Sequence, residues 1–138
     1  MDPLPSAKRT LRVLLVDDSS IARDMLRESL AEVMKAEGHQ AYELVEVNEG
    51  RAALDKLAGG RFDLLLLDWV LPKFDGKRVL ELVRSDPKTA KLPVVVVSTA
   101  PDEVRAQVLA LGANAFVSKP VLNSRLTEAL RTALAFKG

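Results

Sequence analysis

Short apolar runs alternate with segments of helical period along this chain. Three runs, at residues 13–16, 64–67 and 94–97, are continuously apolar, which is typical of parallel strands that helices cover on both faces. The run at 42–47 is interleaved with glutamates and the run at 115–117 is very short, and both features favour the edges of a sheet. The pattern therefore predicts five strands, with the three continuous runs in the centre.

The segments between and after these strands predict five helices with recognisable ends. The residues that mark the expected helix starts are Ser19 or Ser20, Asp75, Pro101 and Asn123. Gly112 is expected to close the fourth helix, and Gly59-Gly60 to end the second in a left-handed conformation. The apolar stripe of the first helix consists of Ile21, Met25, Leu26, Leu30, Val33 and Met34.

Strict alternation of strands and helices predicts an α/β fold with right-handed connections around one parallel sheet. With strands one, three and four inside, we expect a (βα)5 flavodoxin-like, doubly wound sandwich with strand order 2-1-3-4-5 and helices on both faces. A length of 138 residues, 48% of them hydrophobic, suits one core. We expect a disordered tail over residues 1–10 and one domain over 11–138.

Polar residues follow four of the predicted strands, at the edge of the sheet where such folds bind ligands. They are Asp17-Asp18 after the first strand, Asp68 after the third, Ser98-Thr99 after the fourth and Ser118-Lys119-Pro120 after the fifth. Two carboxylates about 4 Å apart repel by roughly 4 kcal/mol at an effective dielectric constant of about 20, and one lysine cannot neutralise three. The cluster therefore calls for a cation.

An all-oxygen donor set favours Mg²⁺, with Mn²⁺ possible, over Zn²⁺, because the chain has no cysteine and a single histidine. A bound cation would make phosphoryl transfer to Asp68 feasible. Asp68 would then be the nucleophile that forms an acyl phosphate.

The net charge and the apolar content of the chain limit the classes of partner that we expect. A formal net charge of +1 gives no electrostatic argument for binding nucleic acid or an anionic membrane. Because Arg9, Arg12, Arg23 and Arg27 do not form an uninterrupted patch, we interpret them as solvated surface. The chain shows neither a secretory signal nor a run of roughly 20 apolar residues. We expect a cytoplasmic protein that binds neither nucleic acid nor membrane.

Four stretches of the chain resemble a known family. VDDSSIAR at 16–23, LDWVLPKFDG at 67–76, LPVVVVSTA at 92–100 and GANAFVSKP at 112–120 are similar to the signature stretches of response-regulator receiver domains. They lie in family order and near family spacing, and the resemblance covers nearly the whole chain from about Leu11. The chain most resembles the stand-alone CheY-like regulators of two-component signalling, which implies that residues 11–138 form a receiver domain.

The resemblance implies a metal site and a phosphorylation site. Asp17, Asp18, Asp68 and the backbone carbonyl of Val70 would hold Mg²⁺, and Asp68 would be phosphorylated. Val70 and Ala100 would flank the phosphoryl group, and two apolar side chains there should slow its hydrolysis. The chain would then be no turnover enzyme, but a phosphoacceptor with intrinsic autophosphorylation and slow autodephosphorylation.

The same resemblance assigns residues to the switch. Lys119 would pair with the phosphoryl oxygens, and its bond to Pro120 is implied to be cis. Ser98 would donate its hydroxyl to the phosphoryl group, although Thr99 is a neighbouring hydroxyl. Phe116 falls where many relatives have a rotating aromatic residue.

Phosphorylation would shift the surface made by the fourth helix, fifth strand and fifth helix, and so control binding of a downstream protein target. The implied phosphodonor is a sensor histidine kinase or a histidine phosphotransfer protein of a His-Asp phosphorelay. We expect a monomer or a phosphorylation-dependent dimer.

Two other functions are compatible with parts of the pattern. One is a receiver-like protein-binding module that is not phosphorylated. The other is a phosphohydrolase of haloacid-dehalogenase type, which needs a second carboxylate two residues after the nucleophile as general acid and base. That position is Val70, which argues against the hydrolase.

Overall fold

The computed structural model describes residues 10–39 and 41–134. Its elements are β1 (Leu11–Val16), α1 (Ser20–Ala36), β2 (Tyr42–Val47), α2 (Gly50–Gly59), β3 (Leu64–Leu67), α3 (Gly76–Ser85), β4 (Val94–Ser98), α4 (Glu103–Ala110), β5 (Ala115–Ser118) and α5 (Asn123–Leu134). Within these ranges, no helix combines the length and the apolar character needed to cross a membrane. Residues 1–9 of the predicted tail and the last four residues of the predicted domain lie outside the described part.

The five strands form one parallel sheet in the order β2-β1-β3-β4-β5, which confirms the predicted topology. Val16, the last residue of β1, pairs with Val47 of β2 and with Leu67 of β3. Leu67 in turn pairs with Val96 of β4. Because the strands are parallel and in this register, the residues that follow β1 and β3 emerge side by side at one edge.

The two faces of the sheet carry separate apolar clusters. Alternate strand residues such as Leu14 and Val16 pack with α2, α3 and α4, whereas Val13 and Leu15 pack with α1 and α5. The strand residues at 13–16, 64–67 and 94–97 are almost fully buried, as their continuous apolar sequences predict. Each buried Val or Leu stabilises the fold by about 1.5–3 kcal/mol relative to exposure, so this core rigidly supports the polar edge.

Helix ends follow the sequence in most places. Ser19 caps α1 through a hydrogen bond from the Ala22 amide, and Asp75 caps α3 through one from the Arg78 amide. Gly112 has φ of 108° after α4, the left-handed conformation that glycine favours.

The predicted left-handed end of α2 is wrong, because Gly60 is extended, with φ of −171°. The guanidinium of Arg12 lies across this segment and donates to the carbonyl of Arg61 over 2.8 Å. A Cβ on Gly60 would lie 3.1 Å from the same guanidinium. The glycine therefore makes room for the Arg12 side chain instead of reversing the chain.

The apolar stripe of α1 is only partly buried. Leu26 and Leu30 lie in the core, whereas Ile21 is 71% exposed and Met25 is 57% exposed. Both exposed residues belong to the first turns of α1, which begin at the edge where the strands end, so the sheet offers them little surface to cover. They form an apolar patch beside the polar edge.

Gly76, the first residue of α3, lies against the chain that follows β3. A Cβ at this position would be 2.5 Å from the carbonyl oxygen of Asp68 and 2.7 Å from Cα of Trp69, and the Gly76 amide donates to the Trp69 carbonyl over 3.2 Å. The start of α3 therefore supports the backbone of Asp68 directly.

Candidate functional site

Three carboxylates meet at the polar edge of the sheet. Asp17 and Asp18 follow β1 and Asp68 follows β3, and one carboxylate oxygen from each lies within 4.8 Å of the others. Asp17 and Asp68 are buried, while Asp18 is exposed. The structure thus brings together the three aspartates that the sequence singled out.

Lys119 brings a positive charge to this cluster from the end of β5. Its Nζ lies 2.5 Å from Oδ2 of Asp17 and 3.6 Å from Oδ2 of Asp68. Its amide donates to the carbonyl of Ser98 over 2.9 Å, and the bond to Pro120 is cis, as expected. The ammonium is therefore bound more closely to Asp17 than to the predicted phosphoacceptor.

Burial raises the pKa of Asp68, and the neighbouring charge of Asp17 raises it further. The ammonium of Lys119 opposes this shift, as do the amide of Val70, which donates to Oδ1 over 3.3 Å, and the hydroxyl of Ser98. The raised pKa shows that the attraction of one lysine does not fully compensate for burial next to a second carboxylate.

The two hydroxyls at the end of β4 lie in different surroundings. Ser98 is buried and its Oγ accepts a hydrogen bond from the amide of Ala100 over 3.2 Å, whereas Thr99 is exposed. Successive strand side chains point to opposite faces, and Thr99 borders a cavity of about 280 Å³ that Met25 and Pro120 also line. The geometry therefore favours Ser98 as the hydroxyl near Asp68.

Val70 and Ala100 each follow a residue of the site by two positions, and their backbone amides donate to Asp68 and Ser98 respectively. Val70 is 59% exposed beside the Asp68 carboxylate, and Ala100 and Trp69 are half-buried. Phe116 is buried, with the guanidinium carbon of Arg105 lying 5.3 Å from its ring centroid.

Sequence interpretation missed one residue of the site. Arg23, assigned to solvated surface, donates from Nη1 to the backbone carbonyl of Asp17 over 2.7 Å. Its position four residues after Ser19 in α1 was a usable signal, because the first turn of a helix that follows a strand end lies close to that end.

Comparisons with known proteins agree with this geometry. The family model described as the response regulator receiver domain matches residues 13–131. The chain belongs to this family. Receiver domains are phosphoacceptors and not classical enzymes, so the phosphohydrolase interpretation is set aside.

A curated relative and two solved structures show the range of similar receivers. The chain is 39% identical over 116 residues to the gliding motility regulatory protein of Myxococcus xanthus, and the match covers 83% of the chain but only 14% of that relative. The chemotaxis response regulator CheY4 of Vibrio cholerae is 28% identical, with a TM-score of 0.77 and coverage of 91% of this chain and 100% of that one.

The phosphorylated cyanobacterial phytochrome response regulator RcpA is likewise 28% identical, with a TM-score of 0.77 and coverage of 94% and 98%. The family and these relatives identify the receiver as a phosphoacceptor signalling switch of two-component systems.

Removing the charge of Asp68 should stabilise the metal-free receiver. A carboxyl whose pKa is raised by folding contributes stability that is complete below its ordinary pKa and is lost as the pH rises through the folded-state value. In the presence of a chelator at pH 7, we expect Asp68→Asn to raise the free energy of unfolding by about 1 kcal/mol. The gain should disappear when the pH falls below the ordinary pKa of aspartic acid.

Denaturant unfolding at the two pH values measures this difference. Asp55→Asn, at an exposed position of α2, is the matched control and should change the free energy of unfolding little. A less stable Asp68→Asn variant at pH 7 would contradict the prediction.

Proposed function

We propose that the receiver accepts a phosphoryl group on Asp68 in a reaction that depends on Mg²⁺. The observation that carries the proposal is the meeting of three carboxylate oxygens within 4.8 Å, with the Lys119 ammonium beside two of them. Three negative charges beside one positive charge leave a deficit that a divalent cation offsets.

The donor set fits a hard cation. Carboxylate and carbonyl oxygens are the ligands that Mg²⁺ prefers, with Mn²⁺ the nearest substitute. Asp17, Asp18, Asp68 and the backbone carbonyl of Val70 would hold it. When bound, the cation offsets charge on the acceptor carboxylate and on the transferring phosphoryl group.

Asp68, Lys119 and Ser98 would each have a separate role in the transfer of the phosphoryl group. A carboxylate oxygen of Asp68 attacks the phosphorus, so that an O–P bond forms as the bond from phosphorus to the leaving group of the donor breaks. The electron pair of the broken bond stays with the leaving group, which is a ring nitrogen when the donor is a phosphohistidine. Lys119 then pairs with the phosphoryl oxygens, for which its ammonium has to shift away from Asp17. Ser98, buried at the end of β4, donates its hydroxyl to the same oxygens.

Mass spectrometry with a small phosphodonor and Mg²⁺ tests the proposal. We expect the native receiver to gain the mass of one phosphoryl group, and Asp68→Asn or native chain with chelator to gain none. Ser98→Ala should slow the reaction about tenfold, because a hydrogen bond to a charged group contributes about 1.5–3 kcal/mol. Thr99→Ala is the matched control and should react at the native rate.

The phosphorylated chain should also show altered amide exchange in α4, β5 and α5. That face holds a cavity of about 440 Å³ beside Phe116 and Arg105, and we propose that a downstream protein binds there. A chain that gains no phosphoryl mass would favour a binding module without phosphorylation.

The phosphoryl group should persist once formed. Val70 and Ala100 flank the site and offer no polar atom on their side chains to orient an attacking water. We therefore expect Val70→Asn and Ala100→Glu each to accelerate loss of the phosphoryl group by at least about tenfold. Val70→Ala keeps the position apolar and should leave the lifetime unchanged, as followed by mass spectrometry over time. Equal lifetimes in all four chains would refute this explanation.

The phosphodonor is proposed to be a sensor histidine kinase or a histidine phosphotransfer protein, which would rest on the surface around the acidic cluster. Ile21, Met25 and Leu122 are exposed apolar residues, and Met25 borders the cavity of about 280 Å³ next to Lys119. A protein donor of this kind gains affinity by covering such side chains.

The cytoplasmic location and the oligomeric state, a monomer or a phosphorylation-dependent dimer, stay predictions.

Met25→Glu should raise KM about tenfold for a histidine-phosphorylated protein donor without changing the rate with a small phosphodonor. Leu109→Glu places the same charge at an exposed apolar position of α4 and is the control. Steady-state transfer of labelled phosphate measures both. The docking surface is wrong if the two variants respond equally to the protein donor.

A further inference from the structure

Asp17 is held at four different points. Its amide donates to the carbonyl of Val47 over 3.2 Å, and its Oδ1 accepts from the amide of Ser19 over 2.9 Å. Its Oδ2 binds Lys119 over 2.5 Å. Its backbone carbonyl accepts from Nη1 of Arg23 over 2.7 Å. Among the side chains of residues 10–39 and 41–134, only that of Arg23 donates a hydrogen bond to this carbonyl.

Arg23 uses two edges of its guanidinium at once. While Nη1 binds the carbonyl of Asp17, Nε lies 3.4 Å from Oε1 of Glu46 on β2, and the side chain is only 20% exposed. Arg27, one turn further along α1, binds the same carboxylate of Glu46 through Nε over 2.9 Å. The positive charge of Arg23 is therefore paired with the carboxylate of Glu46. Its hydrogen bond to the neutral backbone carbonyl of Asp17 serves mainly to fix the position of that carbonyl.

The carbonyl that Arg23 binds belongs to the peptide unit between Asp17 and Asp18. A peptide unit is planar, so fixing its oxygen also fixes the direction in which the chain enters Asp18. Within the described part of the chain, the exposed carboxylate of Asp18 has no hydrogen bond or ion pair of its own. The place of this carboxylate in the cluster therefore depends on its backbone.

We propose that Arg23 is a positioning residue that sets Asp17 and Asp18 for the divalent cation. The inference rests on the proposed magnesium site and names a residue that acts on it from outside the ligand set. Groups that orient metal ligands typically alter metal affinity 10- to 100-fold when they are replaced.

Arg23→Lys separates this role from the effect of charge. Lysine keeps the positive charge but lacks the planar fork that reaches a carboxylate and a carbonyl together. We expect the variant to bind Mg²⁺ about tenfold more weakly, measured by titrating Mg²⁺ against backbone amide chemical shifts. The Mg²⁺ concentration that half-saturates the phosphorylation rate should rise by the same factor, while the rate at saturating Mg²⁺ stays near the native value.

Arg27→Lys is the matched control, because Arg27 shares Glu46 with Arg23 but does not contact Asp17. It should change the Mg²⁺ affinity less than about twofold, and thermal unfolding without Mg²⁺ should be altered similarly in the two variants. Equal Mg²⁺ affinities for Arg23→Lys and Arg27→Lys would overturn the positioning role alone. A native chain whose amides do not respond to Mg²⁺ would overturn the proposed metal site and this inference with it.

Discussion

The repulsion among Asp17, Asp18 and Asp68 is the constraint around which this receiver is arranged. Parallel strands with closely matched ends bring the carboxylates together, and the pKa of Asp68 is raised first by burial and then by the neighbouring charge of Asp17. A flexible edge would let them separate. Here the almost fully buried central strands keep the three carboxylates close together. The repulsion among them therefore persists and favours the binding of positive charge at this edge.

Much of the fold could be predicted because the sequence signals were strong and local. Strands buried on both faces require uninterrupted apolar runs, and the runs at 64–67 and 94–97 have the length and the composition of such strands. The errors occurred where the tertiary arrangement, and not the local sequence, decided the outcome. Gly60 is extended because Arg12, far away in the chain, crosses it, and Ile21 is exposed because the sheet ends beneath it. Neither the crossing by Arg12 nor the end of the sheet can be recognised in the local sequence pattern.

The site was predictable to the level of which residues meet, and not of how they pair. Strand ends place Asp17, Asp68 and Lys119 at one edge whatever the side-chain conformations. Which carboxylate the flexible lysine side chain prefers depends on distances of about an ångström, and the closer partner is Asp17. The contact of Arg23 with a backbone carbonyl escaped notice for a related reason, since a hydrogen bond to the main chain needs no complementary residue type.

The close approach of Gly76 to the carbonyl of Asp68 and to Trp69 makes the two sides of the acceptor mechanically unequal. On the α3 side, the backbone of Gly76 packs directly against the backbone of Asp68 and Trp69. No side chain lies between them that could change rotamer, so this side resists displacement. On the β4 side, Ser98 is followed by a segment in which Thr99, Pro101 and Asp102 are exposed and Ala100 is half-buried, before α4 begins at Glu103. Under the proposed function, a displacement that starts at Asp68 would therefore be directed towards α4 and β5, because Gly76 leaves no side chain on the α3 side that could move.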